Sequence, residues 1–262
     1  MVTQSSITLF LWPPAALAAV VAAFCTACAA LAWFFFHVRP GFGVEYAPQP
    51  PFHAGIVALF GLLLSFTAND AWRRSEAAYG ALLRESQEAS AMLPLLSALE
   101  MVDRPRAAEA RIGLRDYLSA SLNEEWRSHN VMVSVHAAQN LDRIRQASAQ
   151  GLVSGGVAGP AWRTVQDRLD GIQQARTARL VAGGLYGDAL RWTCLLTVYL
   201  AGAFAIAAVH LDRHKALRVA LPIYAVVGTV ALSLIALSEQ PYTGWDAVEP
   251  DRLIEVLSHM PG

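Results

Sequence analysis

YAPQPPFHAGIVALFGLLLSFTANDAWRR, residues 46–74, passes from a charge-free run into Asp70, Arg73 and Arg74 with no helix breaker between them. Residues 46–69 contain no Asp, Glu, Lys or Arg, and crossing a bilayer takes roughly 20 mainly apolar residues as helix. The stretch predicts a membrane helix that continues outward past the bilayer. Three further charge-free stretches, 1–38, 192–211 and 219–238, are also long enough to cross. The fold expected is an all-α integral membrane protein with four transmembrane helices and a helical domain inserted between the second and third. Composition agrees, since 55% of the 262 residues are apolar and 16% charged, against about a quarter charged in soluble domains.

The first span is expected from about Pro14 to Phe36, with Pro13 and Pro14 at a helix start and Trp12 and Trp33 at the two interfaces. A cleaved signal peptide is the rival. It lacks a basic n-region here, and the apolar stretch is longer than an h-region of roughly 7–15 residues. The expected segments are 1–69, a first membrane pair; 70–190, a helical domain; 191–238, a second pair; and 239–262, a C-terminal segment. With four spans, Arg73, Arg74, Arg84, Arg176, Arg179 and Arg191 flank the membrane on one side, and Arg39, Arg213, Lys215 and Arg218 on the other. This balance favours a cytoplasmic helical domain, although the cluster at 213–218 pulls the other way. One lysine against 19 arginines in an alanine-rich chain suggests a GC-rich bacterial genome, and the expected location is the bacterial inner membrane.

In the inserted domain Ala78, Leu82, Glu85, Ala89, Met92, Leu96 and Leu99 form a 3-4 stripe, with Pro94 expected to interrupt and restart the helix. A second helix starts near Asp103 and Pro105, places Ala107, Ala110, Leu114, Tyr117, Leu118 and Ser121 on one face, and ends at Glu124, Glu125 and Trp126. A third covers about 131–149. Gly151, Gly155, Gly156, Gly159 and Pro160 then read as a flexible linker. The last helix shows Trp162, Val165, Leu169 and Ile172 at helical spacing and is expected to run on towards the third span.

A net charge of −1 gives no basic patch for nucleic acid. Cys25, Cys28 and Cys194 fall inside expected spans and read as small apolar residues; the first pair lacks the second pair a zinc site needs. His210 and His214 share helical spacing without a neighbouring Glu, and are expected in a short loop between spans three and four. There is no Gly-x-Ser-x-Gly elbow, P-loop or dinucleotide fingerprint, so no enzyme, cofactor or metal is implied. Glu85, a carboxylate on an apolar stripe, must be paired, protonated or wet. It either meets Arg176 or Arg179 from the last helix or faces a pore or proton path. Tyr117 and Trp126 are read as packing anchors with Glu124 and Glu125 on an exposed rim, and Pro241 to Trp245 as an interfacial turn.

Phe66-Thr-Ala-Asn69-Asp-Ala-Trp-Arg-Arg74 resembles the end of the second membrane helix of bacterial bestrophins. A wider resemblance, to the bacterial bestrophin-like family of unknown function, rests on Glu85, Tyr117 with Glu125 and Trp126, Arg179 with Leu180, and Glu239 to Gly244, in that order. Bestrophins are pentameric anion channels with an apolar neck on the second helix. The resemblance implies a neck at Phe66, Leu62 and Ala58, four residues apart and on one helix face, where a ring of apolar side chains gates by dewetting. The bland alternative is packing against a neighbouring helix. Asn69, Arg74 and Glu85 are the polar residues at the pore entrance or in the supporting structure. Ala58 is smaller than the family's neck residue, and Asp246, Glu249, Asp251 and Glu255 lack the ligand spacing of a calcium loop; they read as a solvated amphipathic end.

Two functions follow. One is a homo-oligomeric channel, pentameric by resemblance, passing small anions such as chloride across the lipid bilayer with span two lining the pore. The other is a membrane-anchored helical sensing or scaffold module without a pore. Gly184, Gly187, Gly202 and Ala203 permit close helix approach in either. The discriminating feature is a face on span two that no helix of the same protomer covers.

Overall fold

The computed structural model describes residues 14–37, 51–130, 132–154, 156–184, 189–211, 213–239, 241–242 and 247–260. They form α1 (Pro14–His37), α2 (Pro51–Leu99), α3 (Arg104–Ala120), α4 (Val135–Val153), α5 (Gly159–Gly183), α6 (Ala189–Val209), α7 (His214–Ser238) and α8 (Asp251–Ser258), with no strand among the described residues. Four helices are long and apolar enough to cross a membrane: α1, α2, α6 and α7. Residues 38–50, with Arg39, and the region before Pro14, including Trp12, lie outside the described residues.

The chain divides into two compact units. The first holds α1, α2 up to Arg73, α6 and α7; the second holds α2 from Arg74, α3, α4, α5 and α8. In the first, Cys25, Cys28 and Ala32 of α1 pack with Phe60 of α2 and with Leu195, Tyr199, Leu217 and Leu221 of α6 and α7. The cysteines are free thiols. Tyr199 and Tyr224 stack with ring centroids 4.7 Å apart and planes 8° apart. Each hydroxyl donates to the other residue's carbonyl, Tyr224 at 3.0 Å and Tyr199 at 3.4 Å, so the polar ends are satisfied without water. A Cβ at Gly202 would collide with the Tyr224 hydroxyl, and one at Gly228 with the Tyr199 ring. Gly202 therefore makes room for an aromatic ring on the facing helix, not only for the close backbone approach its size suggests.

In the second unit the stripes read from sequence are buried: Leu82, Ala89, Met92, Leu96 and Leu99 meet Leu114, Tyr117 and Leu118 of α3, Ile144 of α4, and Trp162, Val165 and Leu169 of α5. Several expectations are corrected here. α2 continues through Pro94 without a break. Pro94 and Ser90, whose carbonyl loses its donor, are both exposed, so water takes that acceptor while the buried face holds the helix together. Asp103 precedes α3 but makes no side-chain cap; its carboxylate instead accepts from Arg106 at 2.9 Å and the Trp162 indole at 3.2 Å.

Gly151 lies inside α4, where a Cβ would strike the Trp162 indole, and Gly159 begins α5. The linker thus shrinks to a few residues around a short 3₁₀ turn at Gly156–Ala158. α5 does not run on into the third span: Gly184 is extended at the C-cap, and Leu185–Asp188, including Gly187, lie outside the described residues. In the acidic end Glu249, Asp251 and Glu255 are exposed, while α8 buries Leu253 and Val256 in the domain core with Met260 just beyond it. His210 lies just past α6 and His214 opens α7, one at each end of a short connection.

Candidate functional site

α2 positions the residues that the resemblance singles out. Between Pro51 and Arg73 its inner side presents Val57, Phe60, Leu63 and Leu64 to the core. Thr67 is buried with them and returns its hydroxyl to the Leu63 carbonyl at 2.8 Å, so it needs no partner outside the helix. The opposite side carries Ala58, Leu62, Phe66 and Asn69, all exposed, with Leu62 at 54% and Phe66 at 64%. Gly55 and Ser65 lie on the same side. No described residue of the protomer covers this face. Its chemistry differs from that of the outer face of α7, where Val219, Ile223, Val226, Val230 and Leu234 present only hydrocarbon. On α2 the Asn69 carboxamide, which gains nothing from lipid, follows the apolar triplet at the next turn. Arg74 begins the second unit and is partly buried.

Glu85 does not share that face. It is fully buried in the second unit, where Arg179 donates to it from Nε at 2.6 Å and from Nη2 at 3.1 Å. The Tyr117 hydroxyl donates to the same carboxylate at 2.6 Å. Arg179 reaches on to Ser121 Oγ at 2.8 Å, to Glu125 at 2.9 Å and to the Asn130 side-chain oxygen, while its guanidinium stands 5.2 Å from the Trp126 ring centre. Arg176 pairs with Glu125 through Nε at 3.0 Å and Nη2 at 2.5 Å and also donates to the Ser134 carbonyl at 3.0 Å. Two carboxylates and two guanidiniums thus balance inside the domain. Burial, then the charge of Glu85, pushes the Tyr117 hydroxyl well above the ordinary tyrosine range. Desolvation pulls Arg179 down, but Glu85, by charge and hydrogen bonding, outweighs it and holds the guanidinium charged.

Glu125 corrects the exposed-rim reading, being completely buried. Its segment, Ser121–Trp126, is a π-helical turn that extends α3. Glu125 follows Tyr117 and Ser121 in four-residue steps and so falls on their side of the helix, inside the same buried cluster. Glu124 does stay outside. It accepts from Ser134 Oγ at 2.5 Å and lies 2.9 Å from His136 Nδ1, and the Ser134 hydrogen bond lowers its pKa. Tyr242 is also corrected. Instead of facing headgroups it is buried in the second unit, donates to the Arg179 carbonyl at 3.3 Å, and meets Trp126 edge-on at 5.3 Å. Trp245 lies outside the described residues.

A second polar cluster, not anticipated, ties the middle of α2 to the start of α6 and the end of α7 in the first unit. Arg191 donates to Asp70 and, at 2.8 Å, to Glu239, which also accepts from the Trp192 indole at 2.9 Å. Its only signal in sequence is that each charge lies immediately beyond a charge-free span. Among the described residues no three His, Cys, Asp or Glu side chains gather as metal ligands.

The bestrophin-like domain family matches this sequence over residues 22–253. The chain belongs to the bestrophin-like family. Among solved structures, a tryptophan-to-alanine variant of a bacterial bestrophin homologue from Klebsiella pneumoniae superposes with a TM-score of 0.67 at 12% identity, over 92% of this chain and 97% of that one. A leucine-to-threonine variant of the homologue gives 0.68 at 8%, over 93% and 97%. A membrane protein carrying a glycine-to-alanine change gives 0.68 at 10%, over 92% and 99%. At these identities the likeness is one of fold. Among curated proteins no match is found. In this bestrophin-like chain Glu85, Tyr117, Glu125, Trp126, Arg179 and Tyr242, far apart in sequence and all among the residues that carried the resemblance, meet in the buried cluster of the second unit, and Glu239 joins the other.

Proposed function

We propose that this bestrophin-like protein is one subunit of an oligomeric channel for small anions such as chloride, five copies about a central axis, with α2 lining the pore in a bacterial inner membrane and the second unit in the cytoplasm. The observation that supports this reading is the α2 face of Ala58, Leu62, Phe66 and Asn69, mixed in chemistry and uncovered within the protomer. Repeated around an axis, the three apolar positions form a constriction that dewets when narrow and conducts when wet. Asn69 gives a permeating anion an amide donor at its inner edge. The arginine-rich helical domain raises the local anion concentration. Glu85, tied to Arg179 and Tyr117, supports the architecture instead of meeting the ion.

Native mass spectrometry in mild detergent tests the assembly first. Five subunits would support the shared pore and justify chloride-efflux measurements from liposomes. A monomer or dimer that persists across detergents would overturn it, leaving a membrane-anchored helical sensing or scaffold module.

A further inference from the structure

Between α1 and α7 the first unit holds an open groove of about 360 Å³. Ala30 and Trp33 form one wall and Leu221, Pro222 and Val226 the other, with Arg218 at one end. The walls lie in stretches long and apolar enough to span a membrane, so the medium against the groove is hydrocarbon. The Arg218 end has the opposite character. Lys215 and Arg218 are exposed within the first turns of α7 and Arg213 at its N-cap; Asp212 precedes them in sequence, and no acidic residue follows until Glu239. Trp33, one turn from the end of α1, is an aromatic suited to the headgroup level.

We infer that this groove binds an anionic glycerophospholipid. One acyl chain lies between α1 and α7, and the phosphate faces Lys215 and Arg218. An apolar slot capped by cations matches an anionic headgroup on hydrocarbon chains better than it matches a free anion or a zwitterionic lipid. The site is independent of whether α2 conducts.

The test is a thermal-shift titration of the delipidated full-length protein in mild detergent with phosphatidylglycerol, phosphatidylcholine of the same chains, and glycerol 3-phosphate. Phosphatidylglycerol is expected to raise the melting temperature most and glycerol 3-phosphate not to raise it. Replacing both exposed cations (Lys215→Gln with Arg218→Gln) should weaken the phosphatidylglycerol response roughly thirtyfold, the combined effect of two basic residues at an anionic headgroup. Ala30→Phe, which fills the groove from an exposed position, should abolish it. Equal responses to the two phospholipids, an equal response to glycerol 3-phosphate, or unchanged titrations in both variants would overturn the site.

Discussion

Glu85 shows how far a single residue can be read. A carboxylate on an apolar stripe demands a partner, and the sequence narrows the choice to arginines of the last helix; only the packed domain assigns Arg179 to Glu85 and Arg176 to Glu125. Glu125 was misread because a charge at an expected helix end was taken as solvated, although its spacing from Leu118 and Ser121 already puts it on the buried stripe. Glu85→Gln leaves the buried guanidinium under-compensated and should cost about 3–5 kcal/mol of unfolding free energy, measurable by chemical denaturation. Were Glu85 instead part of an ion path, stability would hold and flux would change. Tyr117→Phe keeps the ring and removes the donor to Glu85, at a cost of about 2 kcal/mol. Tyr117 also predicts a pH dependence. Its folded pKa lies above the unfolded value of about 10, so its contribution is intact below about pH 10 and lost as pH rises further, when only the unfolded chain releases the proton. Denaturation at about pH 8 and about pH 11 should show a smaller alkaline loss in Tyr117→Phe than in the parent.

At the scale of an element, α2 was the most legible, because the absence of a breaker at Asp70 and the four-residue spacing of Ala58, Leu62 and Phe66 are local facts. Pro94 was misread because a local rule was applied where burial of Met92, Leu96 and Leu99 decides the outcome. The ring stands on the solvent side, so Pro94→Ala restores a backbone donor and removes the ring clash without disturbing the core. It should raise the unfolding free energy by about 1–3 kcal/mol; a loss of stability would show that the ring packs. On the other stretch of the same helix, Leu62→Ala with Phe66→Ala removes only exposed side chains. Thermal stability should shift little, and chloride efflux from liposomes should rise as the constriction widens.

For the molecule as a whole, the four spans were visible as gaps in the charge distribution, and the helical insertion as the place where most charges collect. Subunit number was not, since the information lies in how the α2 face meets another copy, and one chain's periodicity does not encode the angle between copies. The channel reading predicts five subunits by native mass spectrometry. The stacked tyrosines carry a consequence for how such a chain is made. α6 and α7 emerge as a hairpin joined at 210–213, and with each tyrosine hydroxyl already bonded across the pair the two rings need nothing from α1 to satisfy their polar ends. α1 and α2, synthesised long before, must wait in the lipid as separate rods. Their charge-free stretches, 14–37 and 51–69, suit that wait, and the late hairpin, arriving with its rotation already set, becomes the template on which the older helices dock.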